Sequence, residues 1–357
     1  MTPRDRVRAA LHHAQPDVTP CDYFATPEIH AGLHARLGTT ADAALLDRLG
    51  VDIRYVNPPY TGPRLPMFAD GSRQDIWGVR KRPMPNEYGD YAEPVGYPYA
   101  AWSTVEEAAA WPWPSPDHYD YNAIPVLCAE TPHAAMAAGS FGVQDFINGV
   151  AFGRGVEQVL LDIALADPVY LFIVEKRHRF YLEYIDRVLT AAAGRIDLVL
   201  CGDDFGSQRG LLISPQTFDA LFAQKKKELF DLVHSHGAMV THHCCGSSRG
   251  LFPRFIALGM DSIQTIQPQA AGMDPYGLKA DFGRSICLHG AVDVQGWLQR
   301  STPAAIRAEV HRLMEELGRD GGYILAPSHN LQPDTPLENV LAVYSAVAES
   351  RGRPPLT

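Results

Sequence analysis

Four metal-capable residues stand in a row, His242, His243, Cys244 and Cys245, inside the stretch AMVTHHCCGSSRG at positions 238–250. Imidazole and thiolate are ligands that suit zinc, and a His-x-Cys at a strand end supplies two of the three or four that it needs. The run from Ala238 to Thr241 reads as a strand, and alternate side chains of a strand share a face. His243 and Cys245 can therefore grip one ion while His242 and Cys244 face elsewhere. The competing reading is a buried strand end whose cysteines pack as small hydrophobes, although packing does not call for two adjacent histidines. His329, in YILAPSHNLQP, is the natural third ligand. It follows the last apolar run, in a loop held open by the breakers of NLQPDTP.

Carboxylates and amides collect at other strand ends. Asp203 and Asp204 close DLVLCG, where an acid can serve as general base, hard metal ligand or substrate anchor. One of the pair can equally cap the following turn, and Asp204 is the member favoured for proton handling. Asp293, at the end of HGAVD, has the same placement and the same capping alternative. Asp203, Gln208, Gln264 and Asn330 make up the candidate substrate-binding set, and His289 is a second-line candidate. His12, His13, His234, His236 and His311 read as surface or packing residues. The lysines at 225–227 read as a solvated helix face. Phe141, Trp77, Trp102 and Tyr323 read as core or pocket wall.

The elements that must position these residues alternate. Short apolar runs, TPCDYFA, VDIRYVN, HAAMAAG, IDLVLCG, AMVTHH, DSIQTIQ, SICLHGA and GYILAPS, are separated by helical tracts such as LISPQTFDALFAQKKKELFDLVHSHG and TPAAIRAEVHRLMEELG. Strands alternating with helices imply parallel βαβ units. Eight candidate strands suit a closed (β/α)8 TIM barrel, an α/β fold, better than a doubly wound sheet. The polar residues DDFG, HHCCG, QP, GAVD and SHN then fall at the C-terminal ends of the strands, the face where such barrels do chemistry. No GxGxxG or GxxxxGK[ST] opens a helix. Residues 58–116, rich in Pro, Gly, Tyr and Trp, read as an irregular, hairpin-bearing insertion, a lid or a subunit contact, within a single domain spanning 1–357.

The chain has 357 residues, 46% hydrophobic and 20% charged, with a net charge of -10. Such a balance opposes nucleic-acid binding, which demands a basic face. Apolar runs fall short of the ~20 residues that span a membrane. The opening MTPRDRVRAALHHAQPD lacks the apolar core of a signal peptide. Six cysteines, two of them adjacent, do not form a disulfide framework, and the expected compartment is the cytoplasm.

The segments RGLLISPQTFDALFAQKKKELFDLVHSHGAMVTHHCCG, LHGAVDVQ and ILAPSHNLQPDTPLENVLA resemble the uroporphyrinogen decarboxylase superfamily, and more closely its cobalamin-linked methyltransferase branch. The SP…F, H-x-C-G, G-x-VD and TP-x-EN elements fall in family order. The resemblance implies a (β/α)8 barrel and a zinc ion held by a His-x-Cys, here His243 and Cys245, and by a cysteine in a later Gly-Cys-Gly turn. That turn falls on Ser328-His329-Asn330, so a histidine replaces the cysteine. The arginine-rich motif with which true decarboxylases grip substrate carboxylates has no counterpart in CDYFATPEIHAGLHARLG. The expectation is a zinc-dependent methyltransferase moving a methyl group between a small-molecule substrate and a corrinoid, free as methylcobalamin or carried by a partner protein, with a homodimer left open. The alternatives are a metal-independent decarboxylase or lyase and a non-catalytic corrinoid-handling or structural-zinc protein.

Overall fold

Ten strands are described in the computed structural model, which covers residues 1–85 and 90–356. They are β1 (Ile53–Tyr55), β2 (Arg73–Gln74), β3 (Arg80–Pro85), β4 (Asp90–Pro94), β5 (Ala135–Gly139), β6 (Leu198–Gly202), β7 (Met239–His243), β8 (Ser262–Ile266), β9 (Cys287–Val292) and β10 (Tyr323–Pro327). Seven of them form one parallel sheet in the order β1-β5-β6-β7-β8-β9-β10. Each strand lies beside its successor in the chain, and helices fill the intervals, as parallel connections require. β5, β6, β8, β9 and β10 are buried at every residue, so the sheet is covered on both faces.

An eighth strand over 19–25 was expected; the chain there makes isolated parallel bridges, Cys21 to Leu325 and Ala25 to Leu331. Asp22 N–H donates to the Leu325 carbonyl at 2.8 Å, and Asp52 N–H donates to the Cys21 carbonyl at 2.8 Å. The segment thus touches both outer strands' neighbourhoods. Toward β1 no bridge forms among the described residues, because the Cys21 N–H is taken by the Asp52 carboxylate at 2.8 Å rather than by a strand carbonyl.

The N-terminal end of the sheet is closed by helix α1 (Pro3–Leu11). Thr2 starts it as a reciprocal cap: its hydroxyl accepts from Asp5 N–H at 3.1 Å, and the Asp5 carboxylate accepts from Thr2 N–H at 2.9 Å. Val7, Ala10 and Leu11 of α1 pack on Ile53, Ala135, Ala137, Leu198, Cys287 and Ile324, residues from the beginnings of five strands. The small side chains of Ala135 and Ala137 leave room for the helix. With one end filled by apolar groups, polar side chains are left to the other end.

Within the excursion, β2, β3 and β4 pair antiparallel as a separate sheet; residues 86–89 of the expected hairpin lie outside the described residues. Trp77, Tyr99 and Trp102 of this region are engaged in packing. Tyr99 stacks on Trp102 at 4.5 Å, and Trp77 meets Phe180 at 5.0 Å and the Arg177 guanidinium at 4.1 Å. Phe180 and Arg177 belong to the helix Pro168–Ala192. Among the described residues no helix is long and apolar enough to cross a membrane.

Candidate metal centre

His243 is the last residue of β7, and the chain runs on through Cys244 and Cys245 into a turn at Gly246. Gly246 has φ 73°, and a Cβ there would lie 2.6 Å from the Ser207 carbonyl oxygen. A side chain is excluded by both the backbone angle and the close approach. Across the sheet, β7 pairs Gly202 with His243 on one side and His243 with Gln264 on the other. This register sets the Gln264 side chain against the His243 ring, where its carboxamide oxygen accepts from Nδ1. A carboxamide oxygen has no proton to give, so Nδ1 carries the hydrogen and Nε2 presents a lone pair. That lone pair points toward Cys245, whose Sγ is 3.2 Å from Nε2.

His329 completes the cluster from the loop after β10. One ligand atom each from His243, Cys245 and His329 lies within 4.8 Å of the others. Zinc bonds of roughly 2.0–2.3 Å correspond to tetrahedral edges of about 3.5 Å. The His243–Cys245 edge is near that length, and His329 reaches the other two from an exposed position on a loop. The donor set, two imidazoles and one thiol with an oriented Nδ1–H behind one ring, fits zinc. His243 is 5% exposed, which keeps the inner side dry while His329 borders solvent.

Asp204 sits beside this cluster. Its Oδ1 accepts from Cys245 N–H at 2.7 Å and lies 3.6 Å from His243 Nε2, and its Oδ2 accepts from Asn148 Nδ2 at 2.8 Å. Burial and the Asp204 charge push the Cys245 thiol well up, so a thiolate there calls for a cation beside it. Phe141 covers the His243 ring at 4.4 Å between centroids.

The remaining candidates separate. Asp203 is enclosed, not substrate-facing: its Oδ1 accepts from Ile147 N–H at 3.0 Å, and its Oδ2 lies 3.6 Å from Lys226 Nζ, both side chains fully buried. Burial pushes its carboxyl up and the Lys226 charge opposes that rise. Lys226 is therefore a correction to the solvated lysine face. Its ammonium donates to the carbonyls of Gln144 at 2.8 Å and Gly202 at 3.0 Å. The signal was present in the sequence: Phe222, Lys226, Leu229, Phe230 and Val233 share one helical stripe. Asp293 caps the turn after β9, accepting from Gln295 N–H at 2.7 Å and Gln269 Nε2 at 2.6 Å. Gln208 is exposed in the turn 207–210. Asn330 follows His329, half-buried, its carbonyl accepting from Gln332 at 3.2 Å. Gln264 stands behind His243 rather than open to a substrate.

The second-line candidate His289 lies nearby, paired with an acid from the N-terminal segment. His289 Nε2 is 3.2 Å from Asp22 Oδ2, which also accepts from the Tyr55 hydroxyl at 2.7 Å. Phe24 lies between this pair and Phe141, with centroids 6.1 Å from His289 and 5.2 Å from Phe141. Asp22 stood in the segment expected to be a strand, and nothing in its neighbours marks it.

Residues 128–350 match the family described as uroporphyrinogen decarboxylase (URO-D). Among solved structures the chain is similar to a methyltransferase from Methanosarcina mazei, at 18% identity over 98% of this chain and 99% of that one, with a TM-score of 0.66. At such identity the likeness is one of fold. Weaker similarities are to the YdhT protein from Bacillus subtilis (10% identity, 92% and 89% covered, TM-score 0.44) and to the 3-keto-D-glucoside 4-epimerase YcjR from E. coli (12% identity, 65% and 85% covered, TM-score 0.41). No curated protein sequence matches the chain.

Proposed function

The chain belongs to the uroporphyrinogen decarboxylase family, and from that premise we propose that it is a zinc-dependent methyltransferase exchanging a methyl group between a small molecule and a corrinoid. The observation that carries this reading is the convergence of His243, Cys245 and His329 within 4.8 Å at the C-terminal end of the parallel strands. Zinc bound there supplies a Lewis acid that lowers the pKa of a substrate heteroatom or polarises it. Three protein ligands leave a coordination position for that atom, whereas a purely structural site is closed by four. The likeness in fold to the Methanosarcina mazei methyltransferase favours the same reading.

The chain's own residues divide the remaining work. Gln264 fixes the His243 tautomer, and Asn148 holds Asp204 with one oxygen toward Cys245 and His243. Asp204 is the group placed to take or return a substrate proton. Phe141 walls one side of the cluster. Asp293 and Gln208 are left with turn and surface roles, and Asp203 with the Lys226 pair. In this reading the segment 19–25 is the eighth stave of a barrel, residues 1–357 are one domain, and 58–116 is an insertion. The partner is a corrinoid, free or protein-borne, and the compartment is the cytoplasm.

The test has two parts. Protein purified without added metal carries about one zinc per chain, lost in the His243→Ala, Cys245→Ser double variant. Mixing with methylcobalamin and a thiol or amine acceptor changes the corrin absorption spectrum. Metal-free folded protein would sink the zinc reading. A zinc protein with no corrinoid response that decarboxylates a porphyrinogen would replace the methyltransferase by the decarboxylase.

A further inference from the structure

A second group of ligands lies away from this centre, on the helix Pro27–Leu37. His30 and His34 are four residues apart and so share one helical face. Their Nε2 atoms are 3.2 Å from each other, and each is 3.1 Å from Oδ1 of Asp42, the first residue of the helix Asp42–Leu49. The geometry points to a second divalent-cation site, formed by His30, His34 and Asp42, for zinc or a neighbouring late first-row ion.

Three features support it. The donor-to-donor distances of 3.1–3.2 Å approach the roughly 3.3 Å edges of a tetrahedron with bonds of about 2.0–2.1 Å. The far nitrogen of each ring is already engaged. His34 Nδ1 lies 3.0 Å from the Thr39 carbonyl oxygen and 2.9 Å from its hydroxyl, and His30 Nδ1 lies 3.2 Å from the Tyr23 hydroxyl. A carbonyl oxygen can accept and not donate, so neutral His34 carries its proton on Nδ1 and turns a bare Nε2 inward. Metal-ligating histidines are commonly held by such a partner on the other nitrogen. A bare imidazole nitrogen 3.1 Å from a carboxylate oxygen sets two lone pairs against each other, a conflict that a cation removes.

The side chains of His30, His34 and Asp42 are 30%, 18% and 78% exposed, so an ion has a path from solvent, keeps open positions for water or a ligand, and exchanges readily enough to be lost on purification, leaving only the zinc at His243, Cys245 and His329 in protein isolated without added metal. His30 and Asp42 also line a cavity of about 420 Å³ shared with Asp22, Tyr23, Arg54 and Tyr55. An ion here ties the helix Pro27–Leu37 to the start of the next helix along that cavity's wall. Two imidazoles and a carboxylate with no thiol select borderline divalent ions over calcium or magnesium.

Cobalt(II) distinguishes this site from the thiol-containing one, because a coordinated thiolate adds an intense near-ultraviolet band that nitrogen and oxygen ligands do not. Chelator-stripped protein is titrated with Co²⁺. The expected result is two equivalents in the native chain. The His243→Ala, Cys245→Ser variant retains one, with visible bands and no thiolate band. Adding His30→Ala and His34→Ala removes it, and Asp42→Asn raises its Kd tenfold or more. Circular dichroism without metal shows whether each variant is folded, and Asp42→Asn serves if the double histidine change is not. The inference is overturned if the His243→Ala, Cys245→Ser protein binds no Co²⁺. A second equivalent that survives loss of His30, His34 and Asp42 overturns it as well. Either outcome leaves a proton shared among the three side chains as the account of their approach.

Discussion

The residues 242–245 form two interleaved histidine–cysteine pairs with opposite fates. His243 and Cys245 face His329 and Asp204. His242 and Cys244 are fully buried; the ring of His242 lies 4.9 Å from Phe255 and 6.3 Å from both Phe205 and Phe230. Cys244 accepts the Phe205 N–H at 3.3 Å, and burial lowers the His242 pKa far below its ordinary value. Identical residue types one position apart thus join the candidate metal cluster or the packing according to the face that strand alternation gives them. The acid pair that follows β6 divides in the same way, Asp203 inward to Lys226 and Asp204 toward the cluster.

Exchanging members between the two faces breaks the comparison most strongly. His243→Ala is expected to take zinc content from about one per chain to near zero. His242→Phe, placing another ring in an aromatic box, leaves zinc unchanged. Metal analysis of the two proteins side by side checks this, and equal zinc loss in both would erase the distinction between faces.

Next in size is the acid pair. Lys226→Met leaves Asp203 buried without its cation and is expected to cost about 3–5 kcal/mol of folding stability, read as a lower urea midpoint. The double variant Lys226→Met, Asp203→Leu recovers most of that loss, because an apolar pair of similar volume needs no desolvation. Asp204→Asn, by contrast, leaves the urea midpoint within about 1 kcal/mol, the range of a partly exposed substitution, while removing activity. A smaller effect belongs to the residue behind the ligand. Gln264→Leu frees the His243 ring and is expected to weaken zinc affinity by about 10–100-fold, measured by competition with a chromophoric chelator.

The parallel alternation and the His243-x-Cys245 pairing were legible because both follow from local periodicity. Strand period and strand-end placement also put Gln264 near the site, although not its role: only the lateral register of β7 on β8 sets its oxygen against His243. Lys226 was misread because three consecutive lysines look solvated, while the helical stripe from Phe222 to Val233 buries the middle one. Asp293 follows β9 as its strand-end position implies, and its hydrogen bonds are those of the turn cap. The Asp22–His289 pair joins residues 267 positions apart, and the His30–His34–Asp42 group needs a bend between two helices. The first contact comes from tertiary packing, which no window of sequence encodes, and the second from the angle between two consecutive helices, which helical periodicity alone does not set.

Another buried histidine displays what burial does away from the candidate ligands. His178 is 1% exposed. Gln144 Nε2 lies 2.9 Å from its Nδ1 and also donates to the Lys225 carbonyl at 3.2 Å, so the amide is the donor and Nδ1 the acceptor. Its Nε2–H then donates to Glu228 at 2.8 Å. The neutral ring is fully satisfied, and a second proton would oppose an amide N–H. Burial lowers the His178 pKa, with Glu228 pulling the other way. As pH falls below about 6.5, the unfolded chain therefore takes up the proton before the folded one does. Folding stability drops with pH from there until the folded-state value is reached, with a slope of at most about 1.4 kcal/mol per pH unit. Glu228, itself held low by His178, acts further down the scale and leaves the window above about pH 5.5 clear. His178→Gln is expected to flatten the urea midpoint against pH in that window. An unchanged slope would mean that the burial of His178 does not govern the loss, which then falls to His242, whose pKa burial also lowers.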